Sequence, residues 1–250
     1  MKVTAIKTHK ITTEDKDILA ILDQYVPKIE ENSIVAVTSK IIAITEGNVV
    51  KAGEINKEDL AEQESEYYLP KETNKYGFTL SIKNGTFIAS AGIDESNGNG
   101  FLILWPKDPW KSAATIRDHL RKKFNLKNLG VIITDSKTTP LRWGVTGVGI
   151  AYAGFSPLNS YINSPDVFGR PLQVTKVNIV DALAAATVLL MGEGAEQTPL
   201  ALVEDLPFIQ WQEENPTQEE IDKLNITLEE DVYSAMLTAA PWKKGGKANR

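Results

Sequence analysis

Apolar and β-branched residues fall into short runs along the chain, separated by turn-forming clusters, and the runs differ in spacing. From about Thr12 to Glu30, the residues Ile18, Leu19, Ile21, Leu22 and Tyr25 recur at helical intervals, with Thr13 as a cap ahead of an acidic first turn. The run Ser33–Ile44 is β-branched almost throughout. It reads as a buried strand that ends at a polar Thr38-Ser39-Lys40 step, before the turn Glu46-Gly47-Asn48. Asn56 to Tyr76 is crowded with Glu, Lys and Tyr and broken by Pro70, which predicts a surface helix and then a mobile loop. Asn84-Gly85 tolerates positive φ, so Thr79–Lys83 and Thr86–Ser90 form a hairpin pattern. Asp108-Pro109 predicts a helix through about Phe124, with Asp as cap and Pro where a missing N–H is harmless. Short buried strands are expected at Leu129–Thr134 and Gly144–Tyr152, the second carrying glycines where something packs close. Asn178–Met191 is apolar on nearly every face, which predicts a central helix ending at Gly192. After Pro199 the pattern weakens. Small helices are expected near Pro216–Glu220 and Glu229–Ala239, and Lys243–Lys247 reads as a frayed tail; no internal repeat is visible.

The chain's 250 residues suffice for a large core and favour more than one domain. A net charge of -6 argues against wholesale nucleic-acid binding, so an anionic ligand needs a local site. With no cysteine there are no disulfides, thiolate nucleophiles or zinc–thiolate centres, which fits a reducing compartment. The first residues lack the apolar stretch of a signal peptide, and no apolar run approaches the roughly 18 residues of a membrane span. The expectation is a cytoplasmic globular protein with no membrane or nucleic-acid partner.

Two acidic stretches carry the candidate chemistry. Ala91–Gly100 places Asp94 beside Ser96, Asn97 and three glycines; this is the composition of a loop that can hold a hard divalent cation, and equally that of an ordinary turn. Val131–Ser136 ends a hydrophobic run on Thr134-Asp135-Ser136, where α/β-type sheets collect ligands, although a cap would look the same. Met191–Thr198 adds Glu193 and Glu196 after the central helix, where the negative end of the helix suits a cation, although a solvated C-cap loop would look the same and is the commoner case. Arg170, in the turn Phe168-Gly169-Arg170-Pro171, offers a guanidinium fork for a carboxylate or phosphate. His119 lies among Arg117, Asp118, Arg121, Lys122 and Lys123 on a helix face expected to meet solvent, and is given no catalytic role. Neither a P-loop, nor a strand-linked dinucleotide fingerprint, nor a nucleophile elbow is present.

In order, these strings resemble the γ-glutamyl ligases that add glutamate to the deazaflavin coenzyme F-420. The matching pieces are Thr38-Ser39-Lys40, Gly92-Ile93-Asp94 through Ser96-Asn97, Ile133-Thr134-Asp135-Ser136, Phe168-Gly169-Arg170 and Met191-Gly192. The resemblance implies a mixed α+β fold with mixed and antiparallel sheets around a central apolar helix, in an intertwined homodimer. It assigns residues 1–203 to the ligase-like region, as two intertwined subdomains, and leaves 204–250 as a C-terminal helical extension. It implies a GTP-dependent ligase, with ATP as the alternative, using two Mg²⁺ or Mn²⁺ and room for a monovalent K⁺. The γ-phosphate would pass to a substrate carboxylate, and the amine of L-glutamate would attack the resulting acyl phosphate. Carried over by residue, Asp94 and Asp135 bind one metal, and Ser136 (Thr in the family) and Glu193 (Gln in the family) the other. Lys10, Ile11, Thr12, Ser39, Lys40, Asn97, Gly192, Glu196 and Thr198 contact the nucleotide, while Arg170 clamps a substrate carboxylate or phosphate.

The departures from the family pattern bear on the substrate. A lysine of the family is Ile44 here, and a Tyr-Gly-Arg-Pro stretch reads Lys137-Thr138-Thr139-Pro140, so two positive charges are gone. The Thr-Asp-Ser-x-Thr-Thr-Pro-Leu-Arg variant resembles a bacterial branch associated with folate-type γ-glutamylation, which leaves a deazaflavin and a folate-like acceptor level. Two other classes stay open: a metal-dependent phosphoryl-transfer or nucleotide-hydrolysing enzyme, and a non-catalytic nucleotide-binding homologue.

Overall fold

The protein's structure is a computed structural model that describes residues 1–247. The first part of the chain forms β1 (Lys2–Ile6), α1 (Ile18–Tyr25), β2 (Ser33–Thr38), α2 (Ser39–Thr45), β3 (Val49–Lys51), α3 (Lys57–Glu64), β4 (Tyr67–Leu69), β5 (Leu80–Lys83), β6 (Thr86–Ala89) and β7 (Phe101–Ile103). The remainder forms α4 (Pro109–Phe124), β8 (Leu129–Thr138), β9 (Val145–Ala153), β10 (Leu158–Ser160), β11 (Lys176–Asn178), α5 (Ile179–Met191), β12 (Leu200–Glu204), α6 (Gln218–Asp222), α7 (Ser234–Leu237) and β13 (Lys243–Lys244). The fold is mixed α+β. No helix among the described residues is long and apolar enough to cross a membrane.

A five-stranded sheet in the order β1-β12-β2-β8-β9 is the main platform, parallel between β2 and β8 and antiparallel elsewhere. Its strands are apolar on both faces because both faces are covered. Val35, Val37, Val131 and Ile133 pack against residues of α1, α2 and α4, while Ile34, Ile132 and Tyr152 pack against Ile179, Val180, Leu183 and Ala184 of α5. Helix α5 comes unusually close to β9. A Cβ on Gly147 would stand 2.3 Å from the Ala184 carbonyl oxygen, and one on Gly149 would stand 2.2 Å from Val180 Cγ1.

The segment between α2 and α4 builds a smaller layer: the antiparallel sheet β13-β4-β5-β6, the pair β3-β7, and α3 packed on Ala91, Ile93, Leu102 and Leu104. Asn84 and Gly85 both take positive φ at the β5–β6 turn, as the Asn-Gly pattern predicts. The predicted Asp108 cap of α4 and Gly192 end of α5 hold: Asp108 accepts from Lys111 N, and Gly192 ends α5 at φ 81°; Asn178, not singled out from sequence as a cap, accepts from Asp181 N.

Several expectations are corrected. The apolar run after Thr38 turns into α2 instead of continuing as strand, because a short buried run has no periodicity that separates the two. Helix α1 starts at Ile18 under an Asp17 cap, not at Thr13. The expected mobile loop after α3 contains β4, paired with β5 and β13. The weak stretch after Pro199 is β12, an interior strand of the main sheet. Lys243–Lys247 is not frayed: Lys243 and Lys244 pair with Tyr68 and Tyr67, and Lys247 N bonds Ser65 O at 2.9 Å. Arg117 does not face solvent. It is fully buried, with Nε on Leu129 O at 2.9 Å, Nη1 on Asn215 Oδ1 at 2.8 Å, and Nη2 on the Gln212 and Glu213 carbonyls. Helix α5 is buried on one side only, with Leu189 79% and Leu190 52% exposed.

Candidate active site

A cleft of about 630 Å³ opens where the end of the main sheet meets the small layer. Five segments supply its wall: Thr8–Thr12 after β1, Thr38–Ile44 at the β2–α2 junction, Asp94–Asn99, and Thr134–Ser136 of β8 facing Val188–Pro199. Its size lies within the range of small-molecule sites, and its lining is rich in oxygen and backbone groups.

Asp135 lies inside β8, which runs on to Thr138, and not at a strand end as expected. A bulge at Ile133/Thr134 shifts the β8–β9 register there, a device that re-aims side chains beside sites. Asp135 Oδ2 accepts from the indole N–H of Trp105, and Oδ1 accepts from Ser136 N at 2.8 Å. Burial pushes the Asp135 carboxyl up to about 6, opposed by those two donors and aided by the Asp94 charge.

Asp94 is delivered by the small layer. Its backbone exchanges two hydrogen bonds with Ile103 on β7, which fixes the base of the Asp94–Asn99 loop. Asp94 Oδ1 accepts from Ser96 N at 2.8 Å and Oδ2 from Ser96 Oγ at 2.9 Å, while Lys40 Nζ stands 2.6 Å from Oδ2. Burial raises the Asp94 carboxyl, but the Lys40 ammonium and the Ser96 bonds outweigh it and the net shift is downward. Lys40 also donates to Ser96 O at 3.0 Å, so one ammonium ties α2 to the acidic loop.

The Gly192–Thr198 turn closes the other side. A Cβ at Gly192 would strike Glu196 Cδ at 2.5 Å, so glycine is what lets the Glu196 carboxylate fold back to accept from Gly194 N at 2.8 Å. Asn97 Nδ2 donates to Gly194 O at 2.9 Å, joining this turn to the Asp94 loop across the cleft. Thr198 Oγ1 donates to Met191 O. Ser136 Oγ reaches Glu193 Oε2 at 3.4 Å; burial raises the Glu193 carboxyl, with Asp94 and Glu196 adding to the effect and Ser136 and Lys40 opposing it.

Of the predicted residues, Asp94, Asp135, Ser136, Glu193, Lys10, Ile11, Thr12, Lys40, Asn97, Gly192, Glu196 and Thr198 all line this one cleft. Ser39 does not. It is 3% exposed beneath the wall, and its neighbours Thr38 and Lys40 face the cleft instead. Arg170 is also absent from the wall; it sits on the exposed β10–β11 connection and pairs with Asp166 at 3.3 Å. His9 and Thr134 also line the cleft and were not singled out from sequence. His9 Nδ1 meets Tyr25 Oη at 2.8 Å and Nε2 meets Asp15 Oδ1 at 3.0 Å. Tyr25 Oη already accepts from His9 N and Gln24 Nε2, so it donates to Nδ1 and the ring N–H lies on Nε2, toward Asp15. That network holds the Lys10-Ile11-Thr12 segment in place, with Asp15 Oδ2 accepting from Thr12 N at 2.8 Å.

The wall offers carboxylate, hydroxyl and carbonyl oxygens beside the Met191 thioether and no thiolate, a donor set that suits Mg²⁺ or Mn²⁺. Among the described residues no three carboxylate or imidazole groups converge as a protein-only cage. Mg²⁺ sites need only one or two carboxylates when phosphates complete the shell. The Thr134 hydroxyl, buried in the wall with no partner among the described residues, is a further oxygen open to a ligand. The residues present therefore fit cations shared with a polyphosphate.

A mixed α+β fold that gathers carboxylates, hydroxyls and a lysine in one cleft of small-molecule size fits an enzyme of the ligase class. A sequence model of the F420-0:Gamma-glutamyl ligase family matches residues 2–205, and the chain belongs to that family. It is 36% identical over 200 residues to the coenzyme F420:L-glutamate ligase of Methanococcus maripaludis, covering 78% of this chain and 77% of that protein. The proteins of the same name from Methanopyrus kandleri and Methanosarcina mazei are 32% and 31% identical. They cover 76% and 83% of this chain, and 81% and 88% of their own lengths.

Proposed function

We propose that this protein is a nucleotide-dependent γ-glutamyl ligase that joins L-glutamate to a carboxylate acceptor, either a deazaflavin or a folate-like molecule. The observation that carries the reading is the convergence of Asp94, Asp135, Ser136, Glu193, Lys40 and Asn97 from four segments onto one cleft. The acceptor carboxylate attacks the γ-phosphorus of GTP and the diphosphate leaves. The glutamate amine then attacks the acyl phosphate, and phosphate departs as the amide forms. Mg²⁺ or Mn²⁺ held by these oxygens would neutralise charge on the phosphates. Lys40 would turn to the phosphates if a cation displaced it from Asp94, and the backbone N–H groups of the Gly192–Thr198 turn would meet their oxygens. Asn97 holds the two cleft edges together, and the His9–Asp15 network keeps the Lys10-Ile11-Thr12 segment against the nucleotide.

A homodimer belongs to this reading. Its support is the exposed apolar surface of α5 and the neighbouring β10–β11 arm, where Leu189, Leu190, Val167, Phe168 and Val174 are each at least half exposed. Arg170 lies on that arm, so its clamp role requires a second copy to present it to the cleft. Arg170→Ala should then raise the acceptor KM about tenfold with little change in nucleotide binding, and equal loss of both would refute the assignment.

The deciding experiment measures phosphate release with GTP or ATP, Mg²⁺ or Mn²⁺ and each acceptor, with and without L-glutamate. Glutamate-dependent release together with product mass supports the ligase. Release without glutamate identifies a nucleotide-hydrolysing enzyme, and saturable nucleotide binding without turnover identifies a non-catalytic homologue.

A further inference from the structure

Trp105 does not line the cleft, yet among the described residues it makes the one side-chain hydrogen bond that Asp135 receives. We propose that Trp105 is the positioning residue for Asp135, holding the carboxylate so that its free lone pairs face a divalent cation in the cleft. The inference rests on the reading of Asp135 as a metal-facing residue.

The indole is 1% exposed, and its backbone is fixed by Asn48 Nδ2, which donates to Trp105 O at 2.7 Å. Indole offers a single donor and no acceptor, so it can orient a carboxylate but cannot compete with it for a cation. With Oδ2 bonded to the indole and Oδ1 to Ser136 N, each oxygen keeps one lone pair, and the carboxylate plane is set from behind. Two further features belong to this arrangement. Gly92 has φ +70°, and a Cβ there would stand 2.1 Å from the indole nitrogen, so only glycine leaves room for the contact two residues before Asp94. Behind the ring, Lys83 Nζ lies 5.4 Å from the indole centroid, 7% exposed and paired with Glu64 at 3.1 Å. A cation over the ring face is attracted to it and draws electron density from it, which strengthens the N–H as a donor. Outer-shell partners of metal-binding groups carry about 10–100-fold in metal affinity.

The test uses Mn²⁺ alone, without substrates. In a ¹⁵N spectrum the Trp105 indole signal, assigned through Phe variants of the other four tryptophans, should move in Asp135→Asn and broaden on adding Mn²⁺. Trp105→Phe should raise the Mn²⁺ dissociation constant about tenfold. An unmoved Trp105 signal in Asp135→Asn overturns the proposal, and so does Mn²⁺ affinity unchanged in Trp105→Phe, because a purely structural tryptophan lowers Tm and leaves affinity alone. Should Trp105→Phe fail to fold, the signal in Asp135→Asn and the Mn²⁺ broadening decide the matter. If these Mn²⁺ responses appear while glutamate-dependent turnover does not, the ligase reading falls and the positioning role stands. If turnover is present and the responses are absent, the reverse holds.

Discussion

Asp135 sets two functions against each other in a single side chain. Burial holds its folded pKa at about 6, against 3.8 when unfolded, so the folded state binds more protons between those values. Stability of the metal-free protein therefore falls as pH rises from about 4 to 6, and the penalty is fully present above 6. For a shift of roughly two units it is at most about 3 kcal/mol. Asp15, Asp23, Asp166 and Glu220 are shifted the other way by backbone donors and nearby cations, so their stabilisation is present above the ordinary carboxylate range and is lost only on further acidification. Asp135→Asn removes the charge but can accept from only one of Trp105 and Ser136, which takes back about 1 kcal/mol. The variant should gain roughly 2–6 °C in Tm at pH 7.5 without metal. It should also lose the decline in Tm between about pH 4 and 6, and it should abolish turnover. Thermal scans across pH check this, and an unchanged pH profile would show that Asp135 is not the group responsible.

At the level of elements, the cleft depends on how close α5 comes to β9, because α5 ends at the Gly192–Thr198 turn. Gly147→Ala would drive a methyl into the Ala184 backbone, which cannot yield as a side-chain tip can. It should cost about 1–3 kcal/mol and weaken nucleotide binding by moving the turn away from Ser136. Gly53→Ala is the control: φ is +91° but nothing lies within 4 Å, so only about 1 kcal/mol of backbone strain is expected, with binding unchanged. Equal binding loss in both variants would detach the turn from the helix. Elements set by local chemistry were legible from sequence: Asn84-Gly85, the Asp108 cap and Gly192 each act within a few residues. Those set by distant pairing were not. Strand β12 is specified by neighbours such as Lys2 opposite Glu204 and Val37 opposite Leu200, which no local window contains. The cleft was readable where a short motif carries its own carboxylate or glycine. Trp105 was hidden because it lies in the coil after β7 and its partner lies thirty residues away on β8.

The segment after β12 straps the whole molecule at two places. Near its start, the buried Arg117 guanidinium grips the Gln212 and Glu213 carbonyls and Asn215 against the main sheet. At its end, β13 adds a strand to the small sheet and Trp242 meets Phe87 edge-on at 6.0 Å. Gly245 and Gly246 lie against backbone oxygens of Ser65 and Gln63 so closely that a Cβ would come within 2.2 and 2.4 Å. Lys247 then reaches Glu64 at 3.3 Å, the carboxylate that also pairs with Lys83 behind Trp105. The tail is thus continuous, through Glu64 and Lys83, with the support of Asp135. Deleting residues 241–250 should uncover the edge of β4 and the face of Phe87, raising amide exchange in β4–β6 by about tenfold or more while β2 and β8 keep their protection. Local stability differs between packed units, and exchange reads each separately. Because the Lys83–Glu64 pair survives the deletion, Mn²⁺ affinity should drop less than in Trp105→Phe. Unaltered exchange in β4–β6 would mean that the tail rests on the small sheet without stabilising it.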